Sequence, residues 1–217
     1  SVWMSNADAK KYFLANKKLG LKLSIHAPYY INLNSKDKNK IEKSKKRILS
    51  CCERGHYMGA DKVVFHPGYY GGMDKEKTFQ NIKKAILDIQ KEIKKNKWNV
   101  RLAPEVMGKL NVFGSVDEIS RLKRETGCSF CIDFAHVLAR EKKIDFNYLF
   151  RKFNVKNIHC HISGIEYGEK GEKHHKLTPS SFIKKVITEC KRRRLNVTLI
   201  NESPDPVGDS LKTLKMV

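Results

Sequence analysis

The chain has 217 residues, 40% of them hydrophobic, and carries 44 Lys and Arg against 23 Asp and Glu, a formal net charge of +21. No apolar run approaches the ~20 residues of a bilayer span, and Ser1-Val2-Trp3-Met4 lacks the basic-then-apolar layout of a signal peptide, so a soluble, cytoplasmic protein with no membrane partner is expected. The length suits one sizeable core in a single domain, residues 1–217, and a basic excess beyond what solubility needs points to a polyanionic partner, although part of it decorates solvent-facing helices such as residues 91–97.

In chain order, helix and strand patterns alternate. A helix from Asn6 to Lys18 leads to a strand ending at His26, and a Lys- and Arg-rich helix from Asp37 to Gly59 leads to one ending at His66. A helix from Lys75 to Lys95 precedes the strand Val100 to Glu105, and one from Ser115 to Glu125 precedes Cys128 to Asp133. A short helix from Asp145 to Phe150 precedes Val155 to His161, Ser180 to Arg193 precedes Val197 to Glu202, and a partial helix follows Pro206. Gly20, Gly59 and Gly127 stand where helices should end on a left-handed cap. The six cysteines include an adjacent pair, Cys51-Cys52, and two inside strand patterns, a layout suited to reduced thiols rather than a secreted disulfide framework. Cys128 and Cys131 could suggest a zinc knuckle, but positions three apart on a strand point to opposite faces, so both are read as core.

The strand ends share a chemistry. The runs Leu23-Ser24-Ile25-His26, Val63-Val64-Phe65-His66, Leu102-Ala103-Pro104-Glu105, Phe130-Cys131-Ile132-Asp133, Ile158-His159-Cys160-His161 and Leu199-Ile200-Asn201-Glu202 each deliver a metal-type ligand where a buried parallel strand should stop. An open sheet concentrates its site at one switch point, whereas a barrel collects residues from the C-terminal ends of many strands, so an α/β fold of the TIM (β/α)8-barrel type is expected. Imidazoles mixed with carboxylates suit Zn2+, Mn2+ or Fe2+ better than Mg2+ or Ca2+. With His136 and the group Glu172-Lys173-His174-His175 added, the candidate ligands exceed what one tetrahedral ion takes. A cluster of two or three ions, suited to phosphodiester cleavage, is implied.

At these residues the chain resembles a known family. Ser24 to Leu33 (SIHAPYYINL), Phe65-His66-Pro67-Gly68, Pro104 to Lys109 (PEVMGK), Cys131 to His136 (CIDFAH), His161 to Gly168 (HISGIEYG) and Glu202-Ser203-Pro204 are similar, in order, to the signature segments of endonuclease IV, the zinc-dependent apurinic/apyrimidinic endonucleases, in an archaeal-like form. The conjunction is specific where any one segment is weak. The resemblance implies a xylose isomerase-like barrel that hydrolyses the phosphodiester 5′ to abasic sites in duplex DNA, leaving a 3′-hydroxyl and a 5′-deoxyribose phosphate. It implies three Zn2+ ions, with Mn2+ acceptable at one position. His26 and His66 would hold the first zinc, with Glu105, the candidate catalytic residue, bridging to the second. Asp133, His161 and Glu202 would complete the second, and His136, Glu172 and His174 the third, Glu172 standing where the family has aspartate. His159 is the alternative to His161. Tyr29 would enter the DNA near the lesion and Lys109 would contact phosphate, while Tyr69 and Tyr70 could serve as Tyr29 does; His56 and His175 receive no ligand role.

Only about six βα units are visible where the family has eight, so an N-terminally truncated barrel is expected. Its open strand edges would be the route to pairing in an otherwise monomeric protein. Two other readings stand beside the nuclease. A metal-dependent sugar isomerase or epimerase on the same barrel would fit the inner ligands but not the charge, and a DNA-binding remnant without activity would fit the missing strands.

Overall fold

The computed structural model describes residues 4–217; residues 1–3, with most of the N-terminal stretch read for a signal peptide, lie outside the described residues. In order the elements are α1 (Asn6–Leu19), β1 (Ser24–His26), α2 (Lys38–Met58), β2 (Lys62–Phe65), α3 (Lys75–Lys95), β3 (Arg101–Pro104), α4 (Val116–Thr126), β4 (Ile132–Asp133), α5 (Phe134–Glu141), α6 (Phe146–Phe153), β5 (Asn157–Ile162), β6 (Gly164–Gly168), β7 (Gly171–Lys176), α7 (Ser180–Arg192), β8 (Asn196–Asn201) and α8 (Pro206–Leu214). The expected alternation is present, and Gly20, Gly59 and Gly127 all adopt positive φ, as left-handed caps require. Two features depart from it: α5 begins directly after Asp133, and a hairpin, β6 with β7, occupies a stretch to which the sequence assigns no element. Among the described residues no helix is long and apolar enough to cross a membrane. No disulfide links the cysteines there, and all six are buried.

The chain divides into two compact units, residues 1–105 with 121–129 and residues 106–120 with 130–217. In the first, β1, β2 and β3 form a parallel sheet in that order, with Ile25 beside Val63 and Val63 beside Leu102. The helix α3 shows why it packs: Phe79, Ile82, Ile86, Ile89 and Ile93 recur every three or four residues and are all buried. Its N-terminus is capped by Asp74, whose carboxylate accepts from the amides of Glu76 and Lys77. The loops that follow β1 and β2 are knitted together by buried Asn34, whose amide donates to the carbonyls of Tyr69 and Tyr70 and to Thr78 Oγ1. Ile31 and Leu33 are fully buried in the first of these loops, while Tyr29 and Tyr30 remain exposed.

In the second unit β5 is the central strand of a parallel sheet ordered β4, β5, β8. All five residues from Ile158 to Ile162 are buried, the signature of a strand covered on both faces. Phe130 stacks on Phe153 at 4.3 Å between ring centroids, and Phe134 lies against Phe146 and Phe150. The hairpin turns through Glu169 and Lys170, with Gly168 paired to Gly171. Gly171 is at φ +93°, and a Cβ there would stand 2.2 Å from the Gly108 carbonyl oxygen, so only glycine allows the approach. That approach lets the Glu172 amide donate to the Gly108 carbonyl and seats the start of β7 on the loop after β3. Arg140 of α5 holds the same loop by donating to the carbonyls of Met107, Lys109 and Val112.

Candidate functional site

In the first unit three functional side chains stand at successive strand ends. His26 closes β1, His66 follows β2, and Glu105 follows β3 and extends the ladder by donating its amide to the Phe65 carbonyl. His26 Nε2 and His66 Nε2 each lie 3.1 Å from the same oxygen, Glu105 Oε2, and the two rings meet edge to face at 5.1 Å. Glu105 is completely buried. The Ala27 carbonyl, 2.7 Å from His26 Nδ1, can only accept, so Nδ1 carries the hydrogen and Nε2 of the neutral ring carries a lone pair. A lone pair on His26 Nε2 facing a buried carboxylate at this range calls for a shared cation, a proton or a metal ion. The spacing is close to the ~3.3 Å edge of a tetrahedral zinc site built from N and O ligands.

In the second unit Asp133 does two things at once. It ends β4, and its Oδ1 caps α5 by accepting from the His136 amide at 2.8 Å, which fixes His136 in the first turn of the helix. His136 Nδ1 donates to the Val106 carbonyl at 3.0 Å, leaving Nε2 toward Glu172 Oε2 at 3.5 Å. Anchoring one imidazole nitrogen on a backbone carbonyl while the other faces a ligand is a common arrangement at metal sites. His175 joins this group: its ring lies 5.6 Å from that of His136, and donor atoms of Asp133, His136 and His175 fall within 4.8 Å of one another. The Glu202 carbonyl accepts from His175 Nδ1 at 3.0 Å. On the central strand His161 is buried, its Nδ1 3.1 Å from Oε1 of Glu202, which follows β8.

The hairpin separates the two histidines of the Glu172-Lys173-His174-His175 segment. His174 is exposed, with Nε2 3.6 Å from Glu166 Oε2 on β6, and is not brought to His136. Lys176, ahead of His174, holds the Glu166 carboxyl below its ordinary range by hydrogen bond and charge. His175, given no ligand role from the sequence, is the histidine that stands beside His136. Strand alternation alone would put His174, two residues after Glu172, on the Glu172 side; the register shift opposite Glu166 and Tyr167 breaks that alternation, and His175 is the one that meets His136. His159 and His161, two apart on β5, share a face, with rings 5.6 Å apart. Of the DNA-contact candidates, Tyr29 is 76% exposed and meets Tyr30 edge to face at 5.4 Å, while Arg47 covers the Tyr30 ring. Lys109 is exposed and bridges to Gly171. Tyr69 is exposed on the loop after β2, and His56 accepts the Asn99 amide.

Behind Glu202, Asp205 caps α8 through the Gly208 amide, and buried Asp209 accepts from the Thr178 amide at 2.7 Å and from Lys212 at 2.6 Å. Burial alone would raise the Asp209 carboxyl, but the hydrogen bonds from Lys212 and Thr178 outweigh it and hold it well below the carboxylate range.

Parallel strands that end in histidine and carboxylate groups place possible metal-binding residues on a βα fold, and known proteins share that fold. Residues 5–209 match the family model described as a xylose isomerase-like TIM barrel, and the chain belongs to this family. Its endonuclease IV character, read from the signature segments, is matched among its relatives. It is 36% identical over 230 residues to an uncharacterized protein of Methanocaldococcus jannaschii, covering 99% of this chain and 82% of that one. It is 28% identical over 162 residues to a probable endonuclease 4 of Mycobacterium leprae, covering 73% of this chain but 64% of the relative, so it spans less than two thirds of that protein's length. Among solved structures it is similar to SacUVDE (TM-score 0.75, 19% identity, 97% of this chain and 70% of the other). It is likewise similar to endonuclease IV from Thermus thermophilus (TM-score 0.71, 20% identity, 98% and 81% covered). D-psicose 3-epimerase from Clostridium cellulolyticum shares the fold at a TM-score of 0.66 and 13% identity, with 93% and 71% covered.

Proposed function

We propose that this chain is a metal-dependent endonuclease that hydrolyses the phosphodiester 5′ to an abasic site in duplex DNA, leaving a 3′-hydroxyl and a 5′-deoxyribose phosphate. The observation that carries the reading is the pair of imidazoles, His26 and His66, set 3.1 Å from one buried carboxylate oxygen of Glu105. The mixed imidazole and carboxylate donors fit zinc, and three ions is the number the family resemblance implies, with Mn2+ acceptable at one. His26, His66 and Glu105 would hold metal from the first unit. Asp133, His136, His161, Glu172 and Glu202 would do so from the second, with His175 favoured over His174 as the hairpin's histidine. When bound, such ions supply hydroxide near neutral pH and neutralise the departing oxygen of a phosphodiester.

The protein's own groups prepare that chemistry. Glu105 draws two imidazoles to one point and needs no separate general base beside it. The Asp133 cap and the Val106 carbonyl fix His136 in position and tautomer. Exposed Tyr29 would stack in the duplex where the base is missing, Lys109 would meet a phosphate, and the +21 charge would draw the polyanion in. The shared fold of the epimerases supplies the second reading, a ketose epimerase, which leaves that charge and the exposed tyrosine without a role.

The test is incision of a duplex carrying one abasic site, beside an intact duplex and a ketohexose, with metal content measured on the same sample. The expected result is metal-dependent incision on the 5′ side of the abasic site alone. Bound metal without incision sinks the nuclease reading, and metal-dependent turnover of the sugar replaces it with the epimerase.

A further inference from the structure

The central strand of the second unit carries one histidine more than the ligand set uses. His159 lies two residues before His161, so both occupy the same face of β5. The parallel register puts Ile132 beside Cys160 and Asp133 beside His161, and Cys131 is the residue that leads into β4. Donor atoms of Cys131, His159 and His161 fall within 4.8 Å of one another, and all three residues are buried. Inward-facing layers of a parallel βα fold are ordinarily filled by branched aliphatic side chains, which carry no donor atoms at all. Here this face of β5 and its neighbour presents a sulfur and two imidazoles instead.

We propose that Cys131, His159 and His161 form a second metal site, selective for a thiophilic d10 cation such as Zn2+, Cd2+ or Cu+. The donor set is softer than that of any other group in this unit: one sulfur and two nitrogens, with no carboxylate, which disfavours Mg2+, Ca2+ and Mn2+. Binding is a ligand exchange without redox change, in which the Cys131 thiol releases its proton to solvent as the sulfur–metal bond forms.

His161 belongs to two sets. Its Nδ1 stands 3.1 Å from Glu202 Oε1, and the same ring is within reach of Cys131 and His159. Occupancy of the thiolate site therefore draws His161 away from Glu202, and a thiophilic ion inhibits the protein by competition for this one ring. Metal binding at Cys131 stands without the nuclease reading; the inhibition rests on it.

The test is titration of the metal-stripped full chain with Cd2+, followed by sulfur-to-cadmium charge-transfer absorption in the near ultraviolet. One thiolate-bound Cd2+ per chain is expected. The band should vanish in Cys131→Ser, persist in the control Cys190→Ser, and appear in His159→Gln at about tenfold weaker affinity. A band that survives in Cys131→Ser, or an affinity unaltered in His159→Gln, overturns the proposal. Cadmium-113 NMR of the unaltered chain gives a reading that needs no variant to fold. A resonance in the mixed sulfur and nitrogen range supports the site, and resonances confined to the oxygen and nitrogen range overturn it. In the incision assay Cd2+ should inhibit the unaltered chain and spare Cys131→Ser; equal inhibition of both removes the competition while leaving the binding result to stand. Absence of incision altogether sinks the nuclease reading without touching the absorption result.

Discussion

The two units build their donor groups by different means. In the first, His26, His66 and Glu105 come from three consecutive parallel strands, each ligand at or just past the strand end, and one buried carboxylate oxygen gathers both imidazoles. In the second, strand ends supply only part of the set. Asp133 works as a helix cap, His136 belongs to the helix it caps, and Glu172 and His175 arrive on a hairpin held to the loop after β3 by the approach of Gly171 to Gly108. A set built on a sheet inherits its geometry from backbone register. A set assembled from cap, helix and hairpin depends on several separate local contacts, and each can be broken on its own.

The largest effect should come from breaking the simpler set. Glu105→Gln keeps the shape and removes the charge that two imidazoles share; incision should fall about a thousandfold, the ~4 kcal/mol expected when metal-supplied charge stabilisation is lost, with bound metal per chain falling in parallel. Next, the hairpin's facing can be read by a pair of variants. His175→Ala should cost about tenfold to a hundredfold in metal affinity, whereas exposed His174→Ala should change it by less than about twofold, and equal effects would reverse the assignment of faces.

A smaller effect concerns the segment behind Glu202. Asp209→Asn weakens the tie from α8 to the Thr178 amide and leaves Lys212 with the Thr178 carbonyl but no carboxylate, and should cost about 1–3 kcal/mol in a urea unfolding titration. Because the folded Asp209 carboxyl is held low, its contribution is fully present above the ordinary carboxylate value of ~3.9 and is lost as pH falls toward the depressed one. The difference between unaltered and Asp209→Asn chains should therefore shrink on acidification below about pH 4. The smallest effect belongs to Lys109→Ala, which should lower the slope of log affinity for duplex DNA against log salt by about one if that lysine meets a phosphate, and leave it unchanged otherwise.

The same contrast explains what could be read in advance. The alternation of helix and strand, the caps at Gly20, Gly59 and Gly127, and the positions of His26, His66 and Glu105 follow from short-range signals: apolar runs, glycines at helix ends, and the rule that buried parallel strands stop at their functional ends. α5 was hidden because Asp133 reads as a strand end and serves equally as an N-cap. The hairpin was hidden because Gly164 to Lys176 is polar and carries no apolar alternation; its sides are set by the bulge at Glu166 and Tyr167 and by contact with Gly108, which is distant in sequence. Choosing His175 over His174 needs that contact. The face shared by His159 and His161 follows from spacing alone, but the place of Cys131 beside them needs the register of β4 against β5.

The most direct test of the account is to strip the protein of metal with a chelator, restore Zn2+ stepwise, and follow incision of an abasic-site duplex against zinc bound per chain, with Glu105→Gln beside it. No incision by the stripped chain, recovery that tracks bound zinc, and no recovery in Glu105→Gln are expected. Incision by the stripped chain at the rate of the restored one, or full recovery in Glu105→Gln, would contradict the account.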